Sequence, residues 1–133
     1  MMYLLTAVIN KMCLKDVLSD LRDEGIEGLT VSYVSGKGGL GFIQDTGATS
    51  LDENVRLDII LSSEKYKEIA KEVIRSNSRD LHTGSGKMWV TPVLEVERIR
   101  TGETNESALS HSKSQKENLH QESFYNAIDT PAS

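Results

Sequence analysis

Four segments of the chain have the composition and alternation of β-strands. Residues 3–9 are aliphatic and β-branched, residues 29–34 alternate apolar with hydroxyl side chains, residues 55–61 alternate aliphatic with mainly polar ones, and residues 88–99 form a further largely apolar run. Side chains two apart in a strand point to the same face of a sheet. The sequence therefore predicts a strand in each of these ranges.

Two segments between these strands repeat apolar residues at helical spacing. The first has Leu14, Val17, Leu18 and Leu21, with Gly25 as a stop signal. The second follows Ser62 or Ser63, either of which can cap it, and has Tyr66, Ile69, Ala70, Val73 and Ile74. The order strand, helix, strand, strand, helix, strand predicts an α+β fold, a ferredoxin-like βαββαβ sandwich with both helices on one face of an antiparallel sheet.

Two polar segments interrupt the pattern. Residues 35–54 are rich in glycine and have no periodic apolar face, which is typical of a long functional loop. Residues 104–133 are rich in Ser, Asn, Gln, Glu and Lys, and such a composition buries too little apolar surface to fold, so we predict a flexible C-terminal tail. Phe124, Tyr125 and Ile128 within it are either incidental or a short docking motif.

Length and charge narrow the functional classes. A chain of 133 residues fits one folded domain, which we place at residues 1–103. The net charge of −5 argues against nucleic-acid binding, which needs a basic surface. The single Cys13 excludes an internal disulfide and agrees with a reducing, cytoplasmic location. No apolar stretch approaches the roughly 20 residues of a membrane span, so we expect no direct membrane insertion.

An anion site is indicated by a glycine-rich turn before the last predicted strand. Gly84 and Gly86 flank Ser85, so backbone N–H groups can approach a ligand without obstruction, and Lys87 adds a positive charge. After the strand, Arg98 and Arg100 are two apart and would point to one side of an extended chain. Taken alone, the same residues also fit a glycine hairpin followed by solvated arginines.

Other motifs do not meet the requirements of their chemistry. Residues 36–41 match Gly-x-Gly-x-x-Gly, but no helix pattern follows to bind a pyrophosphate. Leu81 and Met88 break the Walker A pattern around Lys87. The three histidines are dispersed, and no nucleophile and base or carboxylate pair follows from the spacing. We therefore predict no metal site, no catalytic residues and a protein that is not an enzyme.

The sequence Gly-Ser-Gly-Lys at 84–87, an aliphatic strand, and Arg-Ile-Arg-Thr-Gly-Glu at 98–103 resemble the closing segment of the PII signalling proteins, also called nitrogen regulatory protein P-II. The resemblance implies a compact homotrimer with the sheets facing inward. It also implies a T-loop at about 36–54 that contacts a target transporter or regulatory protein, a B-loop at about 79–87 and a C-loop at about 98–104.

The resemblance further implies a site for ADP, AMP or ATP between adjacent subunits. One subunit would supply Gly36, Gly38, Ile60, Gly84, Ser85, Gly86 and Lys87. Its neighbour would supply Gly28, Leu29, Thr30, Asp58, Arg98 and Arg100. In this arrangement Asp58 and Thr30 would address the adenine or ribose, and the basic residues the phosphates.

The chain departs from the PII pattern at several positions. Ser85 replaces an Asp, Leu40 replaces the Gln that helps to bind magnesium with 2-oxoglutarate, Asn54 replaces a Lys, and the loop is short and lacks a Tyr. Because Leu40 has no oxygen donor, magnesium-dependent 2-oxoglutarate sensing is not expected.

Three kinds of function therefore stay open. Within the family, the choice is between a specialised adenylate sensor, with bicarbonate as a second effector in inorganic-carbon metabolism, and a conventional nitrogen regulator that senses ATP, ADP and 2-oxoglutarate. A small nucleotide-hydrolysing enzyme and a structural trimer that docks its partner regardless of ligand are the alternatives from other classes.

Overall fold

The computed structural model describes residues 1–36, 52–78 and 86–109. Within these ranges the chain forms β1 (Met2–Asn10), α1 (Leu14–Asp23), β2 (Thr30–Gly36), β3 (Asp52–Leu61), α2 (Glu64–Ser78) and β4 (Lys87–Val93). Short 3-10 helices precede α1 and follow β4, at Lys11–Cys13 and Asn105–Ala108. In these described ranges, neither α-helix has the length and apolar content to cross a membrane.

The four strands form one antiparallel sheet in the order β2-β3-β1-β4. β1 lies in the centre, where Thr6 faces Asp58 of β3 on one side and Trp89 of β4 on the other. The predicted α+β class, the order of elements and the antiparallel sheet with two helices are thereby confirmed.

The core lies between the helices and one face of the sheet. Alternate residues of the two central strands are fully or almost fully buried on this face: Leu5, Ala7, Ile9, Val55, Leu57, Ile59 and Leu61. The helices add Val17, Leu21, Ala70 and Ile74 to the same cluster. Each large side chain buried in this way contributes about 1.5–3 kcal/mol to folding, so the cluster fixes which face of β1 and β3 points toward the helices.

The helix ends follow the predicted signals. The Ser63 hydroxyl accepts a hydrogen bond from the N–H of Tyr66 at 3.3 Å, which caps the start of α2. Gly25 adopts a φ of 87° after α1, and the N–H of Ile26 donates to the Leu21 carbonyl at 2.9 Å. This is the Schellman arrangement that glycine favours at a helix C-terminus. Both capping predictions are confirmed.

The last strand is shorter than predicted. β4 ends at Val93 and not at Ile99, because Val93 already pairs with Met2, the first residue of β1. Beyond this pair the chain leaves the sheet. Leu94 and Ile99 are then almost completely exposed, at 96% and 95%.

Two other boundaries also differ from the prediction. The β2–β3 ladder continues to the pair Gly36 and Asp52, so strand residues occupy both ends of the range predicted as a loop, and residues 37–51 lie outside the described part. Thr104 forms an isolated bridge with Glu97 and is followed by the 3-10 helix, so ordered structure extends into the predicted tail. Residues 110–133 lie outside the described part.

Cys13 lies in the core at the start of α1, where it is 5% exposed. Burial disfavours the thiolate and raises the pKa of this thiol, and the nearby Ser78 side chain opposes the shift only in part. An apolar, protonated thiol is a packing group and not a nucleophile.

We predict that Gly86→Ala lowers the free energy of unfolding by about 2 kcal/mol or more. Gly86 has a φ of 68°, and an added Cβ would overlap the backbone carbonyl of Val8. Chemical denaturation of the purified variant measures the loss.

Gly102→Ala is the matched control, because Gly102 has a φ of 76° but no atom within 4 Å of an added Cβ. It should cost about 1 kcal/mol, from backbone strain alone. Equal losses in the two variants would show that the contact between Gly86 and β1 is not tight.

Candidate ligand-binding site

A cavity of about 250 Å³ opens on the sheet face opposite the core helices. It is lined by Leu4, Gly28, Leu29, Thr30, Asp58, Ile60, Ala108 and Leu109. Aliphatic side chains make up much of its wall, and the Asp58 carboxylate and the Thr30 hydroxyl are its side-chain polar groups. This mixture of an apolar wall with a few polar groups is typical of a small-molecule site.

Strand pairing assembles the floor of this cavity. Thr30 of β2 lies opposite Asp58 of β3, and Leu4 of β1 lies opposite Ile60 of β3. Because Asp58 and Ile60 are two residues apart, their side chains point to the same face of the sheet. Residues from distant parts of the sequence therefore meet as a direct result of the register.

Hydrogen bonds hold the Asp58 carboxylate in place. The hydroxyl of Thr6, which is 1% exposed, donates to Asp58 Oδ1 at 2.8 Å. Arg56 Nε donates to Asp58 Oδ2 at 3.1 Å, and the Arg56 guanidinium carbon lies 6.0 Å from the centre of the Trp89 ring. Arg56 Nη2 also donates to Asp58 Oδ1 at 3.4 Å, so Oδ1 accepts from two donors and Oδ2 from one. The second lone pair of Oδ2 can still accept a hydrogen bond from a ligand.

The C-terminal part of the described chain closes one side of the cavity. After β4, the N–H of Arg98 donates to the Glu103 carbonyl at 2.8 Å, which folds residues 98–103 into a tight turn. The Arg98 guanidinium then donates to the carbonyl oxygen of Ala108 at 3.2 Å, and Ala108 and Leu109 reach the cavity. Arg98 thus lies directly behind the cavity wall.

A second cavity of about 200 Å³ lies at the opposite end of β1. It is lined by Ile9, Ile74, Arg75, Ser78, Gly86, Lys87 and Met88. Gly86 and Lys87 come to this position because β4 begins here, with Lys87 opposite Val8. The described part of this wall carries two cationic side chains, Arg75 and Lys87, and no carboxylate. Because Arg75 forms an ion pair with Glu72 at 3.0 Å, Lys87 is the side chain that favours an anionic ligand here.

The structure brings five of the thirteen predicted site residues together in the first cavity: Gly28, Leu29, Thr30, Asp58 and Ile60. It places Gly86 and Lys87 in the second cavity. Gly36 ends β2, opposite Asp52, and Gly38, Gly84 and Ser85 lie outside the described residues. Within one chain the predicted residues therefore form two separate groups.

Within one chain, Ile60 lines the first cavity with Asp58, because residues two apart on β3 share a face. One detail of the backbone differs from the prediction. Arg98 and Arg100 do not follow an extended chain; they lie in a turn closed by the bond from the Gly102 N–H to the Arg98 carbonyl at 2.8 Å. A Gly102 φ of 76° permits this turn, and the alternation rule does not apply to it.

Four residues that build the site were not predicted. Leu4 and Thr6 were treated as ordinary strand residues, although their alternation with Leu5 and Ala7 places them on the Asp58 face. Ala108 and Leu109 follow a polar segment whose composition gave no indication of ordered structure. A register between β1 and β3 would have revealed the first pair.

Comparison with known proteins identifies the family of the chain. Residues 2–103 match the family model described as nitrogen regulatory protein P-II. The chain belongs to the PII family. PII proteins are signalling regulators, and the matched range includes both cavities apart from Ala108 and Leu109.

Relatives in the PII family span bacteria, archaea and plants. The chain is 37% identical to nitrogen regulatory protein P-II 1 of Methanothermobacter thermautotrophicus over 110 residues, which cover 79% of this chain and 95% of the relative. It is 32% identical to GlnK of Escherichia coli, covering 81% of this chain and 100% of the relative. A crystal structure of Arabidopsis thaliana PII bound to citrate aligns with a TM-score of 0.67 at 32% identity, covering 80% of this chain and 91% of that one.

We predict that Thr6→Val lowers the free energy of unfolding of this PII protein by about 1–2 kcal/mol. The substitution keeps the shape of the buried side chain but removes its hydrogen bond to the Asp58 carboxylate. Urea denaturation followed by circular dichroism measures the change.

Thr91→Val provides the control, because Thr91 is exposed on β4 opposite Leu4. It should change stability by less than about 0.5 kcal/mol. A Thr6→Val protein as stable as the unaltered one would show that the bond to Asp58 adds nothing beyond what water supplies.

Proposed function

We propose that this protein is an adenine-nucleotide sensor: it binds ADP, AMP or ATP between the subunits of a homotrimer and regulates a target protein through residues 36–54. The observation that carries the proposal is the first cavity, where Gly28, Leu29, Thr30, Asp58 and Ile60 meet on the uncovered face of the sheet. Membership of a family of signalling regulators supports the regulatory part.

The first cavity suits a nucleoside better than a small anion. Its aliphatic wall offers an apolar surface to a purine ring, and Asp58 offers an acceptor lone pair to an amino group or to a ribose hydroxyl. A phosphate would instead be repelled by the Asp58 carboxylate. The phosphates therefore require cationic groups from elsewhere, for which Lys87, Arg98 and Arg100 are the candidates.

The separation of the two cavities supports a site between subunits. Asp58 and Lys87 line different cavities of one chain, so a ligand that uses both needs a second subunit. Exposed apolar side chains favour such an association. Trp89 is 45% exposed on the open sheet face, and Leu94 and Ile99 are almost fully exposed beyond β4.

The β2–β3 ladder offers a path from the ligand to the target. The ladder begins at Thr30 and Asp58, which line the first cavity, and ends at Gly36 and Asp52, where the predicted target-binding segment starts. A ligand that binds one arrangement of this ladder more tightly than another shifts the population toward it. In this mechanism the nucleotide acts as an effector and no bond is broken.

We favour the specialised adenylate-sensing branch, with bicarbonate as a candidate second effector, over conventional nitrogen sensing. Leu40 supplies no oxygen ligand for magnesium, and Asn54 supplies no cationic charge at the end of the predicted loop. The citrate in the Arabidopsis PII structure is a carboxylate anion bound by that relative, and it leaves a carboxylate effector as the competing outcome.

Assembling two variants that bind ADP weakly into one trimer tests whether adjacent subunits share the site. We predict that Asp58→Ala and Lys87→Ala each weaken ADP binding by about tenfold or more, because each removes a charged contact. When the two are co-expressed and assembled together, an interface with Asp58 from one subunit and Lys87 from the next is intact. Calorimetric titration should therefore show recovery of tight sites in the mixture.

Arg22→Ala, on an exposed position of α1, is the control and should bind ADP as the unaltered chain does. A mixture with no tight sites would refute the intersubunit arrangement. If the unaltered chain binds none of the three nucleotides, the proposed function itself is wrong.

The effector branch is tested by titrating ATP with magnesium in the presence and absence of 2-oxoglutarate. We predict that 2-oxoglutarate changes the ATP dissociation constant by less than about twofold, because the magnesium-binding side chain is replaced by Leu40. A parallel titration with bicarbonate tests the second candidate. A large decrease in the ATP dissociation constant on adding 2-oxoglutarate would instead favour the conventional nitrogen-sensing function.

A further inference from the structure

The segment Asn105–Leu109, here called the C-terminal strap, has an unusual backbone at its first residue. Asn105 has a φ of 53°, the left-handed region that side chains other than asparagine and glycine rarely adopt. Among the described residues, Asn105 is the one non-glycine residue with a positive φ. Such a conformation persists where the surrounding structure holds it.

Hydrogen bonds fix both ends of the strap to the chain that follows β4. At its start, the N–H of Asn105 donates to the Val96 carbonyl at 2.7 Å, and the N–H of Val96 donates to the Asn105 side-chain oxygen at 3.3 Å. At its end, the Arg98 guanidinium donates to the Ala108 carbonyl at 3.2 Å. The reciprocal pair with Val96 needs a side-chain oxygen acceptor at position 105 in this left-handed conformation.

The fixed strap places two apolar residues at the edge of the first cavity. Leu4 and Ile60 of the strands form the floor of the first cavity. Ala108 and Leu109 line its opposite side, away from the strands. Without the strap this side of the cavity would open to solvent. The match to the family model covers residues 2–103 and ends just before the strap.

We propose that the C-terminal strap is the retaining wall of the nucleotide site, and that Asn105 is the positioning residue that holds this wall closed and sets how slowly the ligand leaves. The inference rests on the proposed function, because the ligand it retains is the adenine nucleotide. Asn105 acts through Ala108 and Leu109 and does not touch the ligand.

The choice of substitutions at Asn105 follows from its two tasks. Alanine removes the side-chain acceptor and is strained at positive φ, so Asn105→Ala loosens the strap on both counts. Glycine adopts positive φ freely and loses only the acceptor, so Asn105→Gly should retain part of the effect. Glu106 lies in the same strap with an exposed side chain, and Glu106→Ala is the matched control.

The test is the dissociation rate of ADP with a fluorescent label on its ribose, measured by stopped-flow displacement from the full chain. We expect release to be about tenfold faster for Asn105→Ala, intermediate for Asn105→Gly and unchanged for Glu106→Ala. The association rate should change by less than about threefold, because a wall that closes after entry acts on departure. Leu109→Ala should also accelerate release, since it removes apolar side-chain atoms that line the cavity.

Unchanged release in both Asn105→Ala and Leu109→Ala, with binding retained, would overturn the inference and leave the proposed function standing. A fall in the melting temperature, with association and release rates changed to the same extent, would also overturn the inference. That pattern indicates a general structural role. Failure of the unaltered chain to bind labelled or unlabelled ADP would overturn the proposed function and this inference together.

Discussion

The antiparallel register between β1 and β3 is the constraint on which the rest of the molecule depends. It pairs Leu5 with Ile59 on the helix side and Thr6 with Asp58 on the other side. Because strand side chains alternate, a slip of one residue would send the core residues to the open face and bury the carboxylate under the helices. The hydrophobic cluster therefore specifies the position of the candidate site as strictly as it specifies the fold.

A consequence of this register is that the polar network on the open face spans three strands. Thr6 on β1, Asp58 with Arg56 on β3, and Trp89 on β4 are in sequential contact. Each contact is modest alone, since the Arg56 and Asp58 side chains are 44% and 26% exposed and solvent weakens their ion pair. Together they give Asp58 one orientation toward the cavity, which a binding site requires.

Most of the fold followed from the sequence because alternation and helical spacing report directly on the two faces of each element. The errors arose where the structure depends on a partner that sequence patterns do not reveal. β4 ends at Val93, which pairs with Met2 of β1, and the composition of residues 88–99 does not indicate that boundary. Likewise, the order at Asn105 comes from its bonds to Val96, which no local composition predicts.

The candidate site was predictable only in part, for a related reason. Asp58 and Thr30 carry recognisable chemistry, and within one chain they line the same cavity. Ile60 lines the same cavity as Asp58 within one chain, because residues two apart on a strand share a face. Ala108 and Leu109 could not have been found, because their contribution depends on a turn at residues 98–103 that folds the chain back over the sheet.

The pairing of Gly36 with Asp52 limits how far the intervening segment can reach. Its two ends are held side by side, so the fifteen residues 37–51 must leave and return to the same point at the end of the β2–β3 ladder. Half of that length, fully extended at about 3.4 Å per residue, spans roughly 25 Å. A partner that contacts this segment, as proposed above, must therefore come within that distance of the end of the β2–β3 ladder.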